Sequence, residues 1–259
     1  MQIIIPMTGY GSRFVAAGYK DLKPFIKVYD KPIIWWIING MYNSDDEFIF
    51  ICRKEHLDSI DNMYDYLKSL SNHSQIIPID NWVKKGPVYD VMRAAEYIDD
   101  NKPSIINYCD FYMTWDYNAF IDNVIKNNYD GAIPCYHSFH PNLIPEKNVY
   151  ASCKYDEHCN LLEIKEKFSF ETNKFNASHS AGTYYFKNGE ILKKYCQALI
   201  DDNNTLNGEF YASLPYNYMV KDGLKVWVAN IVDYFCQWGT PEDLQEFLFW
   251  NNIIKGWNK

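Results

Sequence analysis

Apolar positions in the first half of the chain fall into short runs, "QIIIPM" (2–7), "EFIFIC" (47–52), "SQIIPI" (74–79) and "SIINYC" (104–109). Between them lie stretches with helical character, "PIIWWIINGM", "KEHLDSIDNMYDYLKSL" and "PVYDVMRAAEYI". This strand–helix alternation predicts an α/β fold with a parallel sheet and crossover helices. In such an open sheet, ligands bind beyond the carboxyl ends of the strands. Gly9, Gly11, Gly86 and Asp110 all fall at such ends.

After "GAIPCY" (131–136) the pattern changes to strands such as "VYASCKY", "LLEIKEK" and "AGTYYF", followed by helices near 188–202 and 209–222. These strands predict a small β lobe inserted at about 136–187 and covering the site. The C-terminal part reads as two β-rich segments and then a helix with Thr240 as N-cap, Pro241 at its first position and acidic Glu242 and Asp243 in its first turn. No Gly-, Ser- or Pro-rich linker and no internal repeat divides the sequence, so residues 1–259 are expected to form a single domain.

Composition narrows the function. With 259 residues, 47% hydrophobic and 17% aromatic, the chain has ample material for a large core. Its formal charge of −8 argues against a broad nucleic-acid footprint, so an anionic ligand requires a local cationic site. No stretch approaches the roughly 20 apolar residues of a membrane span, and the first residues lack signal-peptide order, which together predict a cytoplasmic protein without membrane partners. The seven cysteines show no CxxC pair and read as reduced core thiols, not as disulfides or a zinc site. The six histidines form no H-x-x-x-H pair, and no G-x-S-x-G motif supports hydrolase chemistry.

Candidate chemistry concentrates after the first strand, in "TGYGSRFVAAGYKDLKPFIKVYDKPIIWW". Two glycines turn the chain, Arg13, Lys23, Lys27 and Lys31 follow, and two K-P steps favour extended or turn backbone. A glycine turn alone often serves only the turn. Followed by these cations it reads as an anion-binding loop. The spacing matches neither the P-loop nor the full dinucleotide fingerprint, which disfavours a kinase or a dehydrogenase.

The order of "GYGSR", K-P ten residues after Arg13, "VYDKPII", the aspartate closing "IINYCD", "EIKEK", "AGTYYF" and "GTPEDL" resembles the sugar-phosphate nucleotidylyltransferase superfamily over nearly the whole chain. In its N-terminal half the sequence is also similar to the phosphoglutamine cytidylyltransferases of the bacterial capsular phosphoramidate pathway. The resemblance implies a Rossmann-like nucleotidylyltransferase fold with a mixed central sheet, flanking helices and an inserted β lobe. It further implies a Mg2+-dependent enzyme that transfers CMP from CTP to a phosphorylated acceptor, L-glutamine phosphate, giving CDP-L-glutamine and pyrophosphate.

It also implies roles for matching positions. Thr8, Gly9, Tyr10, Gly11 and Ser12 would wrap the triphosphate, Arg13 would hold the departing phosphates, and Lys23 would bridge the α-phosphate and the attacking phosphate. Gly86 would serve base recognition. Glu166 and Lys167 would meet the acceptor; Gly182 is a further candidate, where backbone can come close to it, and so are Glu209 and Tyr211 in "NGEFY", because the ammonium of an amino-acid acceptor needs a carboxylate partner. Asp110 would bind magnesium. The superfamily carries a second aspartate where this chain has Gln237, which leaves Asp233 as the other candidate ligand. Four extended residues separate the two positions, about 13 Å. A sugar-1-phosphate nucleotidylyltransferase is the alternative within the same chemistry; outside it, a glycosyltransferase on a related sheet and a non-catalytic nucleotide-binding subunit are the rival readings. The glycosyltransferase reading lacks a D-x-D-like motif in "CDFYM", and the binding-subunit reading is motivated by Gln237.

Overall fold

The computed structural model describes residues 1–257. A ten-stranded mixed sheet forms its centre. The strands Ser104–Asn107, Gln2–Pro6, Glu47–Arg53 and Ser74–Ile79 lie side by side in parallel, as the strand–helix alternation predicts. Ile3 and Ile5 pack with Phe48 and Phe50 on one face, whereas Ile4 packs with Ile49 and Ile51 on the other. Burial of both faces is the reason these runs are continuously apolar instead of alternating with polar residues.

Helices complete both layers. The helix Ile33–Met41 buries Ile33, Ile34, Ile37, Ile38 and Met41, one stripe at helical spacing, against the first face. Tyr117–Lys126 joins the same layer, and Pro87–Arg93, Gly189–Asp201 and Pro215–Lys221 cover the opposite face. The helical stretch at 54–70 divides into Lys54–Ser59 and Met63–Ser69. Asn62, at φ 61°, adopts the left-handed conformation that asparagine tolerates and breaks the helix. The last helix, Pro241–Trp257, starts where the sequence predicts, with Thr240 Oγ1 accepting the Asp243 N–H at 3.1 Å.

Thr183–Phe186 runs antiparallel to Ser104–Asn107 and so makes the sheet mixed. Beyond it, Gly131–Tyr136 carries Ser178–Ser180, Ser152–Tyr155 and Leu161–Lys165 as an antiparallel extension. These short strands of the predicted insertion continue the main sheet edge to edge. Separately, Phe111–Thr114 pairs with Tyr234–Gln237, placing Gln237 opposite Phe111 and Tyr234 opposite Thr114. Among the described residues no helix is long and apolar enough to cross a membrane.

Candidate active site

Past the carboxyl ends of the parallel strands opens a cleft of about 820 Å³. Thr8 through Arg13, Lys23 and Gly86 line it, together with Asp110, Lys167, Glu209 and Tyr211. The chain makes this gathering possible at Gly11, whose φ of +62° suits a residue without Cβ. A Cβ there would also stand 3.2 Å from the Lys23 Cβ, so the glycine turn and the lysine are packed together. At Gly9 a Cβ would meet nothing within 4 Å, leaving its backbone open to the cleft.

Lys23 and Asp110 form the ion pair at the cleft floor, with Nζ 2.5 Å from Oδ2 and both side chains largely buried. Burial alone would lower the lysine pKa. The Asp110 charge and its hydrogen bond outweigh that cost and leave the ammonium held above its ordinary range. Asp110 is fixed in turn through its backbone, since its carbonyl accepts the Trp238 N–H at 2.9 Å. Gly239 leaves room beside the carboxylate, because a Cβ there would approach Oδ2 to 3.1 Å.

Asp233 stands elsewhere. It is exposed, and its N–H bonds to the Thr114 carbonyl at the far end of the two-stranded pair from Asp110. Gln237 and Asp243 instead share the cleft with Asp110. The Gln237 amide donates to Asp243 Oδ2 at 3.0 Å, Asn142 donates to Oδ1 at 2.9 Å, and Gln237 Oε1 is buried without a partner. The carboxylate of Asp110 and the unpartnered Gln237 oxygen are hard donors of the type a divalent cation takes, and they would leave its remaining positions to other oxygens. Among the described residues no group of three or more His, Cys, Asp or Glu forms a self-sufficient metal cage.

Elsewhere on the cleft, Lys167 adopts φ +53° in the left-handed region and donates to the Tyr211 hydroxyl at 3.1 Å. Non-glycine residues held in this region are often found at ligand sites. Glu209 pairs with Lys84 at 2.8 Å. Glu166 and Gly182 lie behind the cleft wall and do not line it. Burial pushes the Glu166 carboxyl up to about 7, against a hydrogen bond from Ser213 and the charge of Lys167. Gly182, at φ +76°, lets the Phe111 ring pass where a Cβ would stand 2.0 Å away. Gly86 meets a similar demand: a Cβ would fall 2.7 Å from the Phe210 nitrogen, because the "NGEFY" segment docks its backbone on this turn.

Two residues that the motifs did not single out, Arg53 and Asp90, hold the Thr8–Tyr10 turn. Arg53, 1% exposed, ends the strand Glu47–Arg53. Its Nε donates to the Thr8 carbonyl, its Nη1 reaches Glu55 at 2.7 Å, and its guanidinium carbon stands 3.2 Å from the Tyr10 ring centre and 3.5 Å from that of Trp82. Asp90 is buried, and its Oδ2 accepts from Thr8 Oγ1 at 2.5 Å and from Trp82 Nε1 at 3.3 Å. The available signals were a charge closing an apolar strand in "FIFICR" and a lone acid inside "PVYDVM".

No family model matches the chain, and no curated protein matches its sequence. Solved structures do match it. A nucleoside-diphosphate-sugar pyrophosphorylase from Vibrio cholerae superposes with a TM-score of 0.73 at 18% identity, covering 95% of this chain and 99% of that one. A UDP-glucose pyrophosphorylase solved with UDP-glucose gives 0.73 at 15% identity, with 98% of both chains covered. A candidate glucose-1-phosphate thymidylyltransferase from Bacillus anthracis, solved with sucrose, gives 0.69 at 16%, covering 95% of this chain and 93% of that one. At these identities the likeness is one of fold. The chain has the Rossmann-like fold shared by these nucleotidylyltransferases, spanning nearly their full length.

Proposed function

We propose that the protein is a nucleotidylyltransferase. An oxygen of the acceptor's phosphate attacks the α-phosphorus of a nucleoside triphosphate, the bond to the bridging oxygen breaks, and pyrophosphate leaves carrying the electron pair. The observation that carries this reading is the buried Lys23–Asp110 pair facing the open turn from Gly9 to Arg13 in one cleft. Two phosphates must approach each other there. Fixed cations at Lys23 and Arg13 offset their repulsion and stabilise charge that develops in the transition state. The acceptor phosphate is already ionised, so no general base is required and catalysis comes from positioning and charge. Asp110 would hold Mg2+, which supplies further positive charge to the triphosphate. Lys23 then exchanges Asp110 for phosphate oxygens as substrate arrives.

The donor is CTP and the acceptor L-glutamine phosphate, giving CDP-L-glutamine for phosphoramidate modification of a capsular polysaccharide in the cytoplasm. Support for this narrower reading comes from the motif resemblance and from the charges on the acceptor side. Glu209 and Lys167 line the cleft, and a zwitterionic amino acid would use such groups where a sugar ring calls for neutral hydroxyl partners. The testing experiment incubates the protein with each of the four ribonucleoside triphosphates and dTTP, and with phosphoglutamine, hexose 1-phosphates and phosphocholine. Pyrophosphate release with CTP and phosphoglutamine is the expected result. A hexose 1-phosphate with UTP or dTTP as the better pair would overturn the acceptor and leave nucleotidyl transfer standing. Absence of pyrophosphate from every pair would remove nucleotidyl transfer; given a nucleotide sugar, a glycosyltransferase would then release a nucleoside mono- or diphosphate and a binding subunit would not.

A further inference from the structure

Two polar atoms on the nucleotide side are buried without partners, Asp90 Oδ1 and Arg53 Nη2. Thr8 joins their owners, its hydroxyl donating to Asp90 and its carbonyl accepting from Arg53. A buried carboxylate with an unfilled acceptor is costly to maintain unless a ligand supplies the missing donor. The two oxygens of Asp90 differ in this respect. Oδ2 takes both the Thr8 hydroxyl and the Trp82 indole N–H, while Oδ1 takes nothing. The aspartate is only 3% exposed, lines the cleft, and follows Gly86 by one helical turn, its N–H directed to the Gly86 carbonyl at 3.4 Å.

We infer that Asp90 is the base-specificity residue of the cleft, its free oxygen accepting an N–H from a nucleobase that carries an exocyclic amino group. This rests on the nucleotidylyltransferase reading and deepens it. Cytosine and adenine present an amino donor next to a ring acceptor, and that amino group suits an aspartate oxygen. Uracil and thymine place keto oxygens where the amino group would be, and an oxygen facing the buried carboxylate adds repulsion to the missing hydrogen bond. Discrimination of this kind leaves a polar group of the site unpaired with the wrong ligand, which makes it effective. The Thr8 and Trp82 donors hold Oδ2 and thereby reserve Oδ1 for the ligand.

The experiment measures binding of triphosphates alone by isothermal titration, with no acceptor present. CTP is compared with UTP and with the triphosphate of 2-pyrimidinone riboside, the same ring without the amino group. ATP is compared with purine riboside triphosphate in the same way. For whichever ring binds, the amino-bearing form is expected to bind at least about tenfold more tightly than its amino-free counterpart. Asp90→Asn should bring CTP and UTP to within about threefold, because a carboxamide can turn either its oxygen or its N–H toward the base. Should that variant fail to fold, the comparison on the native protein decides the matter. Equal binding with and without the amino group overturns the inference, as does preference for UTP, the outcome for a protonated carboxyl donating to a keto oxygen. Binding of no triphosphate at all overturns the nucleotide reading itself and this inference with it.

Discussion

Replacing Lys23 by methionine tests the central ion pair through stability as well as turnover. The two charged groups lie 2.5 Å apart with side chains only 19% and 15% exposed. At an effective dielectric near 20 their gross attraction is about 7 kcal/mol, most of it offset by the desolvation of two ions. The net worth of the pair is therefore small, but removal of one member strands the other. Lys23→Met leaves Asp110 without its counter-charge and should destabilise by about 2–4 kcal/mol, a little under the range for fully buried pairs because the cleft admits water. For a chain of this size that corresponds to a fall in Tm of roughly 2–4 °C per kcal/mol. Asp110→Asn alone should cost a similar amount. The double variant has no stranded charge and should be more stable than the sum of the singles predicts by about 1–3 kcal/mol. Turnover behaves oppositely, falling at least about a hundredfold in each single variant and showing no recovery in the double. Chemical denaturation of the four proteins together with pyrophosphate release supplies both readouts. Single-variant effects on stability that add to within about 0.5 kcal/mol would refute the coupling, and near-normal turnover of Lys23→Met would refute its role in transfer.

Glu166 predicts a pH dependence of stability. Its carboxyl, raised by burial from 4.5 to about 7, keeps a proton in the folded chain that the unfolded chain has already released, so stability falls as pH rises across that interval. The fall is on the order of 2–3 kcal/mol, and Glu166→Gln should remove it when unfolding is compared near pH 5 and near pH 7.5. For divalent-ion binding, Asp243→Asn should weaken Mn2+ affinity in the presence of nucleotide more than Asp233→Asn does, because Asp243 shares the cleft with Asp110 while Asp233 is exposed at the far end of its strand pair. Electron paramagnetic resonance of Mn2+ measures this, and the reverse order would restore Asp233 as the nearer ligand. Gly182→Ala should destabilise by about 2–4 kcal/mol through its positive φ and the displaced Phe111 ring, read as a shift in the denaturation midpoint.

The parallel half of the sheet was legible in the sequence because strands buried on both faces must be apolar throughout, and "QIIIPM" and "EFIFIC" satisfy that locally. The Thr240 cap and the glycine turn were legible for a similar reason, since caps and left-handed turns are written within a few adjacent residues. The same locality makes Thr8 to Arg13 a visible unit. What crosses the chain was not visible. Asp90 and Arg53 are separated by the strand Ser74–Ile79, and Thr8 joins them only after three strands have aligned their carboxyl ends. The place of Asp233 depends on register, because the pairing of Gln237 with Phe111 fixes which residue stands near Asp110. Gly86 and Gly182 carry ligand-binding expectations in the sequence, and what excludes a side chain at each is a backbone and an aromatic ring that arrive from distant segments. Sequence determines short-range conformation through sterics and hydrogen bonds between near neighbours. The partners of buried charges and the tolerances around missing side chains are settled by packing, which exists only in the tertiary structure.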